Sequence, residues 1–276
     1  MLLRVLLLVL LTAGGAHADV LDRIAETGTL RVGVRADAPP LSFLKDGVAG
    51  GYTVELCNRV SERLGDQLGI SPIIVQHVPV TAENRFQAIV DDQIDLLCGA
   101  ASMTLSRREI VDFSIPVYVD GASVLMRRGE TADFAMLANR RIGVRAGTTT
   151  ERSLAATLER TQMIADVVTV EEHQEGIARL LGRDIDAYFA DQSILLFLIA
   201  ESGRTEELAL ANNVLTIEPQ GLALPRDDDA FRLEVDRALS RMYRNGELAK
   251  IFADAFAPAV MGDAMRAMTL IAPLQE

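Results

Sequence analysis

Ile94-Asp95-Leu96-Leu97-Cys98-Gly99-Ala100-Ala101-Ser102-Met103-Thr104-Leu105-Ser106-Arg107 is the stretch that decides the fold. Its apolar run from Ile94 to Cys98 reads as a buried strand, and the hydroxyls of Ser102 and Thr104 and the cation of Arg107 follow just past its end. An open α/β sheet takes its ligands in the crevice outside the carboxyl ends of its strands. A guanidinium placed there beside hydroxyls suits a carboxylate held by a bidentate fork. The competing reading is a surface loop whose Arg107 and Arg108 sit in solvent at a helix start.

Working outward, strands and helices alternate. Leu30 to Val34 reads as a buried strand, and Thr53 to Leu64 as a helix with Val54, Cys57, Val60 and Leu64 on one face. Ile73 to Val80 is β-branched and bounded by Pro72 and Thr81, and Asn84 to Asp91 reads as helical. This is the rhythm of a mostly parallel sheet with helices on both faces. Pro116 keeps Ile115 to Arg127 extended, and a second α/β series starts at Arg141 to Arg145. It runs through a helix at Thr150 to Glu159, strands at Val167 to Val170 and Ala187 to Ala190, and helices at Gln174 to Leu181 and Ser193 to Ala200. A last strand at Gly221 to Pro225 precedes helices at Asp228 to Tyr243 and Gly246 to Phe256. No internal repeat is expected. The extended passages at Val117 to Val119 and Leu215 to Gln220 fit two crossings between lobes that hinge.

The amino terminus reads as a secretory signal over residues 1–18: Arg4, the apolar Val5 to Leu11, and Ala16-His17-Ala18 before Asp19. Removing 18 of the 276 residues leaves 258 and moves the formal charge from -12 to -13, because Arg4 goes and no acid does. So acidic a chain argues against nucleic acid or an anionic membrane as partner. The only cysteines, Cys57 and Cys98, would lie in a compartment that permits disulfides; a bridge and two separately buried thiols both fit.

Taken in order, several stretches resemble the extracytoplasmic solute-binding proteins of polar amino acid ABC transporters, family 3. They are Leu30-Arg31-Val32-Gly33-Val34 with Pro39-Pro40-Leu41-Ser42-Phe43, Gly51-Tyr52-Thr53-Val54-Glu55-Leu56, Asn84-Arg85-Phe86, and Asp95 to Ser114. Gly143 to Thr150, Asp186 to Asp191, Gly221 to Pro225 and Asn245-Gly246-Glu247 complete the set. The resemblance implies an α/β, two-lobed periplasmic binding protein type II fold, each lobe a mostly parallel sheet flanked by helices, joined by two hinge strands. It implies lobe one at 19–119, lobe two at 120–218, and a return to lobe one at 219–276. By position Arg107 corresponds to the residue that grips the ligand α-carboxylate with Ser102 beside it. Thr148 and Thr149 stand at a helix N-terminus that favours an anion, and Asp191 corresponds to the partner of the α-ammonium. Read in isolation, Thr148 to Thr150 is an N-cap and Asp191 a cap before Ser193.

Ligand choice should rest on groups facing the variable side chain. Many family members carry an Asp after the first strand, where this chain has Arg35. In the branch that binds glutamate and aspartate, an Arg there, an Arg in an Asn-Arg pair and a His before the corresponding helix share the site, and Arg35, Arg85 and His173 fill these places. Alternatively Arg35 lies in an exposed loop, Arg85 pairs with Glu83 or Asp91, and His173 is solvated. Arg35, Arg85 and Arg107 against Asp191 make a locally cationic site that disfavours lysine or arginine; glutamine remains possible. His173 as an imidazolium would make affinity fall as pH rises. Ala82 and Ala100 stand where that branch has hydroxyls.

The resemblance further implies a periplasmic monomer that hands a free amino acid to an ABC permease in the inner membrane. A different class on the same fold is the cyclohexadienyl (arogenate/prephenate) dehydratase, for which Glu171, Glu172 or His173 would supply the general acid. No G-x-S-x-G or H-E-x-x-H motif occurs. Neither His77 nor His173 has a second ligand at metal spacing, so no metal, cofactor or catalytic residue is expected, and His77 reads as structural.

Overall fold

A computed structural model describes residues 19–130, 134–211 and 214–275; the signal segment 1–18 lies outside the described residues. Two five-stranded sheets form two lobes. In the first, the strands run Ile74–Val80, Thr29–Arg35, Leu96–Leu97, Glu218–Leu224, Asp112–Asp120. In the second they run Asp166–Val170, Arg141–Arg145, Ala187–Asp191, Ala122–Arg127, Leu208–Leu210. Each sheet has three consecutive parallel strands beside one antiparallel strand, Glu218–Leu224 in lobe one and Ala122–Arg127 in lobe two. A small antiparallel sheet of Asp37–Ala38, Ser42–Lys45 and Val48–Gly50 grows from the end of the first strand.

The periodicities are met with shifted ends. The helix expected at Thr53 spans Tyr52–Leu68, and Val54, Cys57, Val60 and Leu64 are buried under it. Cys57 and Cys98 are joined as a disulfide, with Cα atoms 6.3 Å apart. Ile74–Val80 is the edge strand of its sheet, and His77, exposed, takes its place in it opposite Val32. One expectation needs correction. Asn84 to Phe86 form a turn, and only Gln87–Val90 is helical, because Thr81 and Asn84 bond each other's backbone instead. Beyond Phe256 a further helix, Asp263–Ile271, buries Met265 and Met268.

One short stretch recurs between the lobes. Arg31-Val32-Gly33-Val34-Arg35-Ala36 and Arg141-Ile142-Gly143-Val144-Arg145-Ala146 differ at one position and occupy the equivalent strand of each lobe. The equivalence has a physical basis at each end. Asp95 accepts from the backbone and guanidinium of Arg31, as Asp186 does from Arg141. The Cδ1 atoms of Ile94 and Ile185 fill the space a Cβ would take on Gly33 and Gly143.

The crossings are close. Asp120 pairs with Glu218, and the next residue must be glycine, because a Cβ on Gly121 would collide with the Thr216 carbonyl. The first crossing strand is tied to lobe one by the hydroxyls of Tyr52 and Tyr243, which donate to the carbonyls of Val117 and Pro116 at 2.8 and 2.7 Å. Tyr52, Tyr118, Phe252 and Phe256 pack around this tie, Phe252 on Phe256 with centroids 4.4 Å apart.

Candidate functional site

All eight residues singled out from the sequence, Arg35, Arg85, Ser102, Arg107, Thr148, Thr149, His173 and Asp191, line one cavity between the lobes. They share its wall with Ala100, Arg145, Thr150, Phe189, Ala190 and Ile194. The cavity lies where both sheets present the carboxyl ends of their strands, as the topology requires.

Arg35 is the last residue of its strand and 2% exposed. Its stem passes Gly99, where a Cβ would stand 2.8 Å from the Arg35 Cγ. Its Nε donates to Asp37 Oδ1 at 2.8 Å; Nη2 lies 2.6 Å from the same oxygen but has no hydrogen-bond partner there. Arg85, also 2% exposed, does not pair with Glu83 or Asp91: its guanidinium donates to the carbonyls of Ala82 and, across the cleft, Gly147, while Nε has no partner. Asp91 takes Gln87 and Glu83 takes Arg145 instead.

Arg107 is buried at 4% exposure, which removes the solvated-loop reading; Arg108 alone is exposed, pairing with Asp112 at 3.2 Å. A one-turn helix, Leu105–Arg108, aims Arg107 inward. Thr104 is its cap, accepting from the Arg107 backbone at 3.2 Å, so the Thr104 hydroxyl is spent on structure. Arg107 Nη1 donates to the Ser102 carbonyl at 2.6 Å. The Phe86 ring carries both cations, with Arg85 Cζ at 4.6 Å and Arg107 Cζ at 4.9 Å from its centroid. A ring face orients guanidinium planes without consuming their donors.

Such crowding is costly. Burial, then the charges of Arg35 and Arg107, push the Arg85 pKa well below its ordinary value. Burial and Arg152 push Arg107 down to about 10. An arginine keeps its proton nonetheless, so the unfavourable charge is stored until an anion relieves it.

From lobe two, the Thr148 hydroxyl accepts from the Glu151 backbone and donates to the Arg145 carbonyl at 2.8 Å, so the N-cap reading holds for its side chain. Thr149 Oγ1 meets Ser102 Oγ at 3.2 Å across the lobes. Asp191 ends its strand before the helix Gln192–Glu201 but makes no side-chain cap bond; Asp120 serves Ser193 in its place. The Asp191 carboxylate accepts from Thr150 at 3.4 Å and from Gln220 at 3.0 Å.

His173 is 3% exposed, not solvated. Burial, only partly offset by Asp37 and reinforced by Arg35 and Arg145, lowers its pKa to about 3. The ring is therefore uncharged at neutral pH, and the fall in affinity expected of an imidazolium has no basis. Its Nδ1 lies 2.9 Å from the Tyr188 hydroxyl, and Gly176 leaves the space the Tyr188 ring needs. Burial raises the Tyr188 pKa, so that hydroxyl keeps its proton and is free to donate to Nδ1, leaving the ring proton on Nε2.

Asp37, Arg145 and Phe86 were not singled out as site residues. Asp37 Oδ2 accepts from Arg145 Nε at 2.9 Å while Oδ1 accepts from Arg35. Burial opposes its charge, but Arg35, His173 and Arg145 outweigh it and lower its pKa to about 2. The repeated R-V-G-V-R and R-I-G-V-R strands were the signal that could have found Arg145. The cations therefore number four, against Asp37, Asp191 and, at the rim, Glu83.

Burial pushes the Asp191 pKa up, with Asp120 and Glu218 adding to it; Asp120 is raised for the same first reason. A carboxyl with a raised folded-state pKa binds its proton more tightly folded than unfolded. Its effect is to lower stability as pH rises from the ordinary carboxylate range toward neutrality. An ammonium placed at Asp191, as the family resemblance implies, would have to displace that proton, so affinity for such a ligand should fall on acidification below neutrality, by at most about tenfold per pH unit for one proton. Calorimetric titration from pH 7.5 to 5.5 checks this; an unchanged affinity would show that Asp191 is already ionised or unused.

The model for bacterial extracellular solute-binding proteins, family 3, matches residues 30–258. The chain belongs to this family. A relative from Pseudomonas aeruginosa, an L-glutamate/L-aspartate-binding protein, is 27% identical over 235 residues, 84% of this chain and 78% of its own. A cyclohexadienyl dehydratase of the same organism is 30% identical over 178 residues, 61% of this chain and 64% of its own. The crystal structure of an ancestral amino acid-binding protein, a precursor of cyclohexadienyl dehydratase, superposes with a TM-score of 0.76 at 26% identity, covering 86% of this chain and 99% of that one.

Proposed function

We propose that this protein captures a free acidic L-amino acid, glutamate or aspartate, in the periplasm and delivers it to an ABC permease of the inner membrane. Four buried guanidiniums against Asp37, Asp191 and Glu83, with Arg85 Nε lacking any hydrogen-bond partner, carry the reading. The α-carboxylate goes to Arg107 with Ser102 and the Thr149 hydroxyl, and the α-ammonium to Asp191. The distal carboxylate goes to Arg85, the Arg35 edge and the His173 ring. Asp37 already occupies one side of Arg35, so Arg85 rather than Arg35 is assigned most of the discrimination between acid and amide.

The resemblance to glutamate/aspartate-binding relatives supports the same choice. So does chemistry: a net cationic, desolvated site repels lysine and arginine and leaves a cation unneutralised with glutamine. A thermal-shift panel of glutamate, aspartate, glutamine, histidine and arginine tests it. Ligand at 100 times its Kd should stabilise by about 2.7 kcal/mol, and only the two acids should do so at micromolar concentration. Stabilisation by arginine or histidine without glutamate would end the reading.

A dehydratase remains the second reading, favoured by the raised pKa of Asp191, which keeps a proton available inside a cationic cavity. Glu171 and Glu172 do not supply that acid, since both are exposed and neither lines the cavity. Turnover of prephenate or arogenate by the purified protein would decide in its favour.

A further inference from the structure

The two copies of the R-[VI]-G-V-R-A strand end at Arg35 and Arg145, one in each lobe, and both guanidiniums close on one carboxylate. Asp37 Oδ1 takes Arg35 Nε at 2.8 Å and Oδ2 takes Arg145 Nε at 2.9 Å. Arg145 has a second grip on lobe one through Glu83, which it meets with both terminal nitrogens. The side chains of Arg35, Asp37 and Arg145 are 2%, 8% and 3% exposed, so solvent and salt screen this bridge little. A carboxylate held between an arginine of each lobe is the arrangement expected of a bound ligand in a hinged protein. Here every atom of it belongs to the chain.

We propose that Asp37 is a resident carboxylate on which the equivalent arginines of the two lobes converge, drawing the lobes together before any amino acid arrives. The ion pair biases the hinge toward the conformation that binds. A ligand then meets a site whose competent fraction is already high, and the apparent affinity gains by that fraction. Arg145 is thus a positioning residue for binding, acting through Asp37. The inference rests on the acidic amino acid reading only for the choice of probe.

Small-angle scattering of the exported protein, refolded from denaturant to strip bound amino acid, tests it. Without amino acid, the wild type should already be near the about 18 Å radius of gyration of a compact chain of this length, and saturating L-glutamate should change it little. Asp37→Asn and Arg145→Gln should be measurably larger without glutamate, return to the wild-type radius with it, and bind it about tenfold more weakly, reflecting a tenfold smaller competent fraction. Glu83→Gln, which loosens only the outer grip, should expand less and guards against a variant that fails to fold. Equal radii for wild type and all three variants without amino acid would overturn the proposal. Expansion of the variants with no response to glutamate in any of the proteins would uphold the bridge and sink the choice of ligand.

Discussion

Arg107→Ala should abolish the thermal stabilisation given by every amino acid while leaving the melting temperature of the unliganded protein nearly unchanged. The two halves of this result have different causes. Truncating one side of a buried charged hydrogen-bond pair costs about 2–5 kcal/mol of binding, or about 30-fold to several-thousand-fold in Kd. In the unliganded protein the same truncation removes one hydrogen bond to the Ser102 carbonyl, at 2.6 Å, and one contact with the Phe86 ring. It also relieves the repulsion that depresses Arg85. The loss and the relief act in opposite directions. A variant that binds glutamate within tenfold of wild type would remove Arg107 from the α-carboxylate, and a large fall in unliganded stability would make it a structural residue.

The joint variant Cys57→Ala/Cys98→Ala should melt about 8–16 °C below wild type. The bridge closes a loop with a sequence separation of 41. The chain-entropy estimate for such a loop is about 4 kcal/mol, and each kcal/mol is about 2–4 °C for a chain of this size. Both sulfurs are fully buried, so the loss reflects the crosslink and its packing rather than a surface contact. Cys98 also precedes Gly99, which packs under the Arg35 stem. Loosening that end of the strand should therefore weaken glutamate binding as well. Differential scanning calorimetry and titration of the same preparation check both effects; a melting temperature within 2 °C of wild type would show that the rest of the fold carries this region.

What was legible in the sequence was whatever a single element encodes. The buried face of Tyr52–Leu68 and the strands Thr29–Arg35 and Arg141–Arg145 follow from local periodicity and β-branching. The assembly of Arg35, Arg85, Ser102, Arg107, Thr148, Thr149, His173 and Asp191 came from ordered resemblance, and all eight line one cavity. What escaped depends on partners far apart in the chain. Asp37 carries no local signal of its role, because the Arg145 that bonds it lies 108 residues away. His173 was read by its usual solution chemistry, but burial, with the charges of Arg35 and Arg145 adding to it, keeps it uncharged. Thr148 shows the reverse, since its cap is a local device and the local reading of its hydroxyl holds.

The ties from Tyr52 to Val117 and from Tyr243 to Pro116 fix consecutive carbonyls of the first crossing strand to lobe one. That strand must travel with lobe one. The fulcrum is then confined to the few peptide units where Asp120 faces Glu218 and Gly121 faces Thr216. Lobe two is carried there as a rigid plate on a very short axle. A small torsion at Gly121 would be geared into a larger displacement at Arg145, while Asp191, paired with Ala122 right beside the axle, would hardly move, and a single methyl group added at Gly121 would jam the turn against the Thr216 carbonyl.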